Sequence, residues 1–124
     1  MKFSHVTLSV SDLEASVRFY HDIVGLEIMR RFPAGPGREI VFLGSGDTEV
    51  ELISGANHDR PDSGGTLPGQ GISMGFAAAS LEDLISLLRE NGYETDGNII
   101  SPQPNVRFFF AKDPDGYSVQ FIAW

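Results

Sequence analysis

Cysteine is absent from the 124 residues of this chain. Disulfides, thiolate metal sites and a cysteine nucleophile are therefore excluded. Positive charge is also scarce, because 9 lysines and arginines stand against 17 acidic residues and give a net charge of -8. Nucleic acids and anionic membranes bind positively charged surfaces, so we expect neither as a partner. An acidic surface is instead compatible with metal ions or small cationic molecules.

Long hydrophobic runs are missing as well. No segment approaches the roughly 20 apolar residues that a helix needs to cross a bilayer. The amino-terminal region has no apolar run preceded by basic residues, as a secretory signal would have. We therefore expect a cytoplasmic protein, and the length suits one domain over residues 1–124.

The chain consists of two similar halves, residues 1–54 and 71–124. In the first half, residues 3–10 alternate between apolar and polar side chains, which predicts a half-buried strand. Ser11 to Glu14 fit a capping box at the start of a helix, and Gly25 marks its end. Three strands are then predicted, at residues 26–32, 38–43 and 48–54.

The second half repeats this order. A strand is predicted over residues 71–78, a helix begins after Ser80, and Asn91-Gly92 ends it. Strands follow at 93–99, 106–111 and 118–124, with a turn at residues 113–116 between the last two. Phe108, Phe109 and Phe110 place rings on both faces of their strand, so at least one ring is expected in the wall of a pocket.

A linker over residues 55–70 separates the halves. It is rich in glycine and proline and has almost no large apolar side chain. His58, Asp59 and Asp62 lie inside it, and a linker of this composition holds metal ligands poorly. We therefore do not expect these three residues to bind a metal.

Several short motifs occur in a specific order along the chain. They are Ser4 to Val10 followed by Asp12-Leu13-Glu14, then Phe19-Tyr20, Val24-Gly25-Leu26, Val50 to Ile53, Asn91-Gly92 and Asp113 to Tyr117. With the doubled βαβββ order, this pattern resembles the vicinal oxygen chelate superfamily of glyoxalase I, bleomycin-resistance proteins and extradiol dioxygenases. The chain is most similar to short lactoylglutathione-lyase-like members. The resemblance implies an α+β fold in which two βαβββ modules pair into a curved mixed sheet around a cup, with the helices packed outside. It also suggests a homodimer.

Metal-binding members of that superfamily carry their ligands on the first and fourth strands of each module. Here the resemblance places His5, Glu51, Ser73 and Gln120 at those positions. Alternation agrees, because each of the four lies opposite apolar residues of its own strand and can face away from the helices. Imidazole and carboxylate suit nickel, zinc, manganese or cobalt, a glutamine oxygen is acceptable, and a serine hydroxyl is a poor ligand. Gln120 cannot take up a proton near neutral pH, so Glu51 is the only candidate base of the four.

Three functions remain open at this stage. The first is a lyase or isomerase of the glyoxalase I type, using a divalent ion held by His5, Glu51 and Gln120, with water in place of a ligand at Ser73. The second is a metal-free protein that sequesters a small molecule or drug, as bleomycin-resistance proteins do. The third is a scaffold or regulatory module with a vestigial cup. Extradiol dioxygenase and fosfomycin-resistance chemistry is disfavoured, because only the first of the three ligands it needs in that family is present.

Overall fold

A computed structural model describes residues 3–54 and 73–124, which belong to two compact units. The linker at 55–70, with His58, Asp59 and Asp62, lies outside the described residues, as do Gly71 and Ile72 of the predicted fifth strand. The first unit contains β1 (His5–Ser9), α1 (Leu13–Arg18), β2 (Glu27–Pro33), β3 (Glu39–Gly44) and β4 (Glu49–Ile53). The second contains β5 (Ser73–Ala77), α2 (Leu81–Glu90), β6 (Ile100–Gln103), β7 (Val106–Lys112) and β8 (Ser118–Ala123).

Each unit holds one four-stranded mixed sheet with the same topology. The strand order is β1-β4-β3-β2 in the first and β5-β8-β7-β6 in the second. The first and fourth strands of each unit pair in parallel, and the remaining neighbours pair antiparallel. The predicted α+β class and the repeated βαβββ order are therefore confirmed.

The start of α1 differs from the prediction. Asp12, not Ser11, is the N-cap, and its carboxylate accepts a hydrogen bond from the amide of Ala15 at 3.1 Å. Asp12 has the extended backbone of a cap and lies three residues before that amide, which is the spacing a capping side chain needs. Glu14 forms an ion pair with Arg31 of β2. The capping-box assignment was therefore wrong by one residue.

The end of the first helical segment is as predicted, with one added feature. A π-helical turn at Phe19–Ile23 continues α1, and Gly25 follows with a positive φ of 86°. Few residues other than glycine adopt that conformation readily, so the chain turns toward β2 at this point.

Both predicted ends of α2 are confirmed. The hydroxyl of Ser80 accepts a hydrogen bond from the amide of Asp83 at 3.3 Å, and Asn91 is the C-cap. Leu81, Ile85 and Leu88 form the buried stripe of the helix. No helix among the described residues is long and apolar enough to cross a bilayer.

The strand predicted at residues 93–99 was wrong, because the observed strand β6 begins at Ile100. Local hydrogen bonds bend the chain before it. The carboxylate of Asp96 accepts from the amide of Asn98 at 2.9 Å, and the hydroxyl of Thr95 accepts from the amide of Gly97 at 3.1 Å. Gly97 itself has a positive φ of 67°. Side chains that bond to their own backbone in this way compete with a sheet ladder, and only a single bridge from Thr95 to Ala111 remains.

The hydrophobic core of each unit lies on one side of its sheet. In the first unit the fully buried apolar side chains are Phe19, Tyr20, Val41, Leu43 and Leu52. In the second unit they are Leu81, Leu88, Phe109, Val119 and Phe121. Because side chains alternate along a strand, polar residues one position away fall on the opposite face of each sheet.

Candidate functional site

The polar side of the first sheet holds two of the four predicted metal ligands. Thr7 pairs with Glu51 across β1 and β4, and Phe42 pairs with the same Glu51 across β3 and β4. Residues paired in this way share a face, and Arg30 joins them because it pairs with Phe42. We call this surface the His5 face, and it consists of His5, Thr7, Arg30, Phe42, Glu49 and Glu51.

His5 and Glu51 lie close together on the His5 face. Nε2 of His5 is 4.0 Å from Oε1 of Glu51. The hydroxyl of Thr7 donates a hydrogen bond of 2.5 Å to that same oxygen, and Nδ1 of His5 lies 3.0 Å from the hydroxyl of Ser4. Sequence reasoning missed Thr7. The available signal was its place in the polar phase of β1, between Val6 and Leu8.

A second carboxylate on this face is engaged elsewhere. Nη2 of Arg30 donates to Oε1 of Glu49 at 3.0 Å, and the guanidinium carbon lies 4.4 Å from the centre of the Phe42 ring. Phe42 also meets the ring of His5 edge-on, with centroids 5.4 Å apart. Arg30 therefore compensates the charge of Glu49 and covers one side of Phe42. Glu51 is the carboxylate that remains beside His5.

The other two predicted ligands lie on the polar side of the second sheet. Gly75 pairs with Gln120 across β5 and β8, and Ser73 lies two residues earlier on β5. A Cβ atom on Gly75 would lie 3.3 Å from Oε1 of Gln120, so the amide oxygen rests above this glycine. Phe110 pairs with Gln120 from β7. We call this surface the Gln120 face, and it consists of Ser73, Gly75, Phe110, Lys112, Ser118 and Gln120.

Strand register relates the two faces residue by residue. Glu51 corresponds to Gln120, because each pairs with a phenylalanine, Phe42 or Phe110, on the preceding strand. Two positions earlier on the fourth strand, Glu49 pairs with Gly44 in the first unit, while Ser118 pairs with Lys112 in the second. The His5 face therefore carries two carboxylates on its fourth strand, where the fourth strand of the Gln120 face carries a hydroxyl and an amide. Each face belongs to its own unit, and the ligand roles of the four residues stay predictions.

The donor chemistry of these residues can be compared with the needs of a metal ion. Within residues 3–54 and 73–124, no three histidine, cysteine or acidic side chains gather in a way that could hold a metal. The predicted set offers one imidazole, one carboxylate, one amide oxygen and one hydroxyl. The first two are good ligands, the third is acceptable, and the last is weak. By donor chemistry alone, the predicted set therefore contains two good metal ligands.

Ion pairs between helix and sheet lie on the side of each sheet opposite the His5 face or the Gln120 face. Arg31 contacts Glu14 of α1 and Glu39 of β3, and its hydrogen bond to Glu39 holds the pKa of that carboxyl below its ordinary value of 4.5. In the second unit, Arg107 contacts Glu82 of α2, and this hydrogen bond lowers the pKa of Glu82 in the same way. Glu39 and Glu14 in turn raise the pKa of Arg31, and the hydrogen bond to Glu39 contributes most.

Comparison with known proteins places the chain in a family. The model of the Glyoxalase/Bleomycin resistance protein/Dioxygenase superfamily matches residues 2–121. The chain belongs to this superfamily. It is 29% identical to a lactoylglutathione lyase of Neisseria meningitidis over 98% of this chain and 90% of that protein. It is 27% identical to an uncharacterized protein of Bacillus subtilis over 98% of this chain and 96% of that one.

Solved structures share the fold. A glyoxalase family protein from Bacillus cereus superposes with a TM-score of 0.83 at 16% identity, over 98% of this chain and 93% of that one. Glyoxalase I from Zea mays superposes with a TM-score of 0.79 at 24% identity, over 99% of this chain and 44% of that longer one. The α+β fold of two βαβββ modules and the family resemblance are thus confirmed.

Proposed function

We propose that this chain is a glyoxalase-type protein that acts on a small molecule at a degenerate divalent-metal site made by His5, Glu51 and Gln120, with Ser73 at the fourth position. The observation that carries the proposal is the placement of His5 beside Glu51, with the Thr7 hydroxyl bonded to the carboxylate. Relatives named lactoylglutathione lyase, at modest identity over nearly the whole chain, support the same class of chemistry.

Each residue has a distinct role in this proposal. Glu51 carries a proton between adjacent carbons of the substrate, because Gln120 cannot be protonated near neutral pH. Thr7 fixes the carboxylate by engaging Oε1, which directs the transferred proton to Oε2. His5 and the amide oxygen of Gln120 serve as neutral donors. A divalent ion held by these groups would supply polarisation of a carbonyl or enediolate oxygen.

The second candidate function is metal-free binding of a small molecule or drug. Aromatic side chains on both sheets support this function. Phe42 stacks on Phe32 in the first sheet, and Phe110 meets Phe108 edge-on in the second. In the first unit, however, Arg30 already occupies a face of Phe42, which a cationic planar ligand would need. Binding of this kind is therefore better suited to Phe110.

The experiment begins with the metal content of the purified protein, followed by calorimetric titration with nickel, zinc, manganese and cobalt. Turnover of the adduct between an α-oxo aldehyde and a thiol is then measured for the protein, for Glu51→Gln and for Glu27→Gln as the control. We expect Glu51→Gln to abolish turnover and Glu27→Gln, at an exposed position of β2, to retain it. If no divalent ion binds more tightly than about millimolar, the metal-dependent reading is wrong.

Two properties of the whole protein belong to the same proposal. We propose a homodimer, because β1, β2, β5 and β6 lie at the edges of their sheets, and edge strands offer unpaired backbone groups. We also propose a cytoplasmic location, which the lack of cysteine in the chain supports.

A further inference from the structure

A cavity of about 190 Å³ opens in the second unit, and three residues of the Gln120 face contribute to its lining. We call it the Phe110 pocket, and its lining includes Glu94, Thr95, Asp96, Phe110, Lys112 and Ser118. Two hydrogen bonds to backbone carbonyls hold its wall in place. The hydroxyl of Thr95 donates to the carbonyl of Phe110 at 2.8 Å, and the amide of Lys112 donates to the carbonyl of Glu94 at 3.0 Å.

In the first unit, the side chains of Glu49 and Arg30 occupy the positions that correspond to the Phe110 pocket. Glu49 stands at the position of Ser118, and its Cγ would lie 3.2 Å from a Cβ on Gly44, so that glycine makes room for it. Arg30 lies over Phe42 and donates to Glu49. A cation on the ring and a carboxylate beside it thus complete this part of the first unit.

Neither of these groups has a counterpart in the second unit. Ser118 is too short to fill the space that Glu49 fills, and β6 begins only at Ile100, which pairs with Phe108, so no strand residue pairs with Phe110 as Arg30 pairs with Phe42. The exposures agree, because Phe42 is 8% exposed and Phe110 is 38% exposed. The pocket therefore lies beside the register positions whose counterparts in the first unit carry the ion pair of Arg30 and Glu49.

We propose that the Phe110 pocket binds the zwitterionic head of an α-amino acid. The ammonium group lies against the Phe110 ring, close to the carboxylates of Glu94 and Asp96. The carboxylate group pairs with the ammonium of Lys112 and accepts from the hydroxyl of Ser118. A ligand of this kind supplies the cation and the carboxylate that Arg30 and Glu49 supply in the first unit.

The charges of the pocket favour a zwitterion over a simple ion. A plain carboxylate would meet Lys112 but also the two acidic side chains, and a plain amine would meet the acidic groups but also Lys112. A ligand with both groups satisfies both sets, and cation–π contact with the ring adds to them. The proposal does not depend on metal binding or on Glu51, since neither His5 nor Glu51 lines the pocket.

Matched small molecules test this directly on the full chain. L-Alanine is titrated by calorimetry and by amide chemical-shift mapping, alongside propionate, which lacks the ammonium group, and ethylamine, which lacks the carboxylate. We expect L-alanine to bind at least about tenfold more tightly than either, because each missing group removes one charge-assisted contact. The shifted amides should be those of Thr95, Phe110, Lys112 and Ser118.

Variants separate the pocket from the rest of the surface. Lys112→Gln should weaken L-alanine binding by about tenfold or more. Arg18→Gln, which also removes one positive charge but at the exposed end of α1, should leave it unchanged. Ser118→Glu should abolish binding, since it restores the carboxylate that fills this place in the first unit. Should Ser118→Glu fail to fold, as judged by circular dichroism, Phe110→Leu replaces it and should weaken binding.

Three results would overturn the proposal. They are the absence of saturable L-alanine binding up to about 10 mM, equal binding of propionate or ethylamine, and retention of affinity in Lys112→Gln. Glu51→Gln is included so that the two proposals can fail separately. Loss of turnover with unchanged L-alanine binding is the expected result for that variant.

Discussion

The hydroxyl of Thr7 lies 2.5 Å from Oε1 of Glu51, although 44 residues of sequence separate them. Parallel pairing of β1 with β4 brings the two residues into register. In the second unit, Gly75 and Gln120 pair in the same register, but there the glycine offers space where Thr7 offers a donor. The two units therefore hold the corresponding side chains of their fourth strands by different means.

Removing the Thr7 hydroxyl should cost stability. Thr7→Val keeps the shape of the side chain but leaves a carboxylate oxygen without its donor, so we expect the free energy of unfolding to fall by about 1–2 kcal/mol. Thr7→Ser keeps the donor and should recover most of this loss. Urea unfolding followed by circular dichroism measures both. Equal stabilities for Thr7→Val and the unchanged protein would show that this hydrogen bond contributes nothing.

Metal affinity should depend on the first unit more than on the second. His5→Ala and Glu51→Gln each remove a good ligand, and each should weaken nickel or zinc binding by about tenfold or more. Ser73→Ala removes only a weak hydroxyl donor and should change the affinity less than about threefold. Calorimetric titration gives the dissociation constants. An unchanged affinity in His5→Ala would exclude the proposed ligand set.

Stability should decline in acid because of Glu39 and Glu82. Their hydrogen bonds to Arg31 and Arg107 hold both folded-state pKa values below the ordinary 4.5. The folded form therefore binds these protons only at lower pH, so the pairs stabilise the protein above pH 4.5 and lose this effect as pH falls through the folded pKa values. Unfolding free energies measured between neutral and acidic pH should show a shallower decline in the double variant Glu39→Gln, Glu82→Gln. An identical acid decline in that variant would contradict the prediction.

Gly97 should not tolerate a side chain. Its φ is 67°, and a Cβ there would lie 2.5 Å from Nη2 of Arg89, which donates to the carbonyl of Asp96 at 3.1 Å. Gly97→Ala should lower the free energy of unfolding by about 1–3 kcal/mol through strain and the loss of that hydrogen bond. Gly46→Ala is the control, because no atom lies within 4 Å of its added Cβ. Its stability should stay within about 0.5 kcal/mol of the unchanged protein.

The proposed homodimer is tested by mass. Multi-angle light scattering at micromolar concentration should give about twice the chain mass of 13.5 kDa. A monomeric mass that persists on concentration would refute the dimer. It would leave the residue-level proposals for the two faces to be judged on their own tests.

Much of the local structure could be predicted because it depends on neighbours in sequence. The ends of α2 follow from Ser80, Asn91 and Gly92, which satisfy or redirect the backbone within one turn. The errors were local as well. Asp12 displaced Ser11 as cap, and the turn at Asp96 and Gly97 moved β6 toward the carboxyl terminus, because short polar side chains compete for nearby backbone amides.

By itself, the sequence determined the repeated order of elements and the polar phase of each strand, since alternation with a period of two assigns a face to every residue. The family resemblance pointed to His5, Glu51, Ser73 and Gln120, alternation agreed with it, and these residues lie in β1, β4, β5 and β8. Only the tertiary structure decided which partners meet on those faces. The bond from Thr7 to Glu51, the pairing of Arg30 with Glu49 over Phe42, and the hollow left by Ser118 all depend on the register between strands distant in sequence. Alternation fixes which side chains share a face, but which residues of two strands lie opposite each other depends on how those strands pair in the sheet.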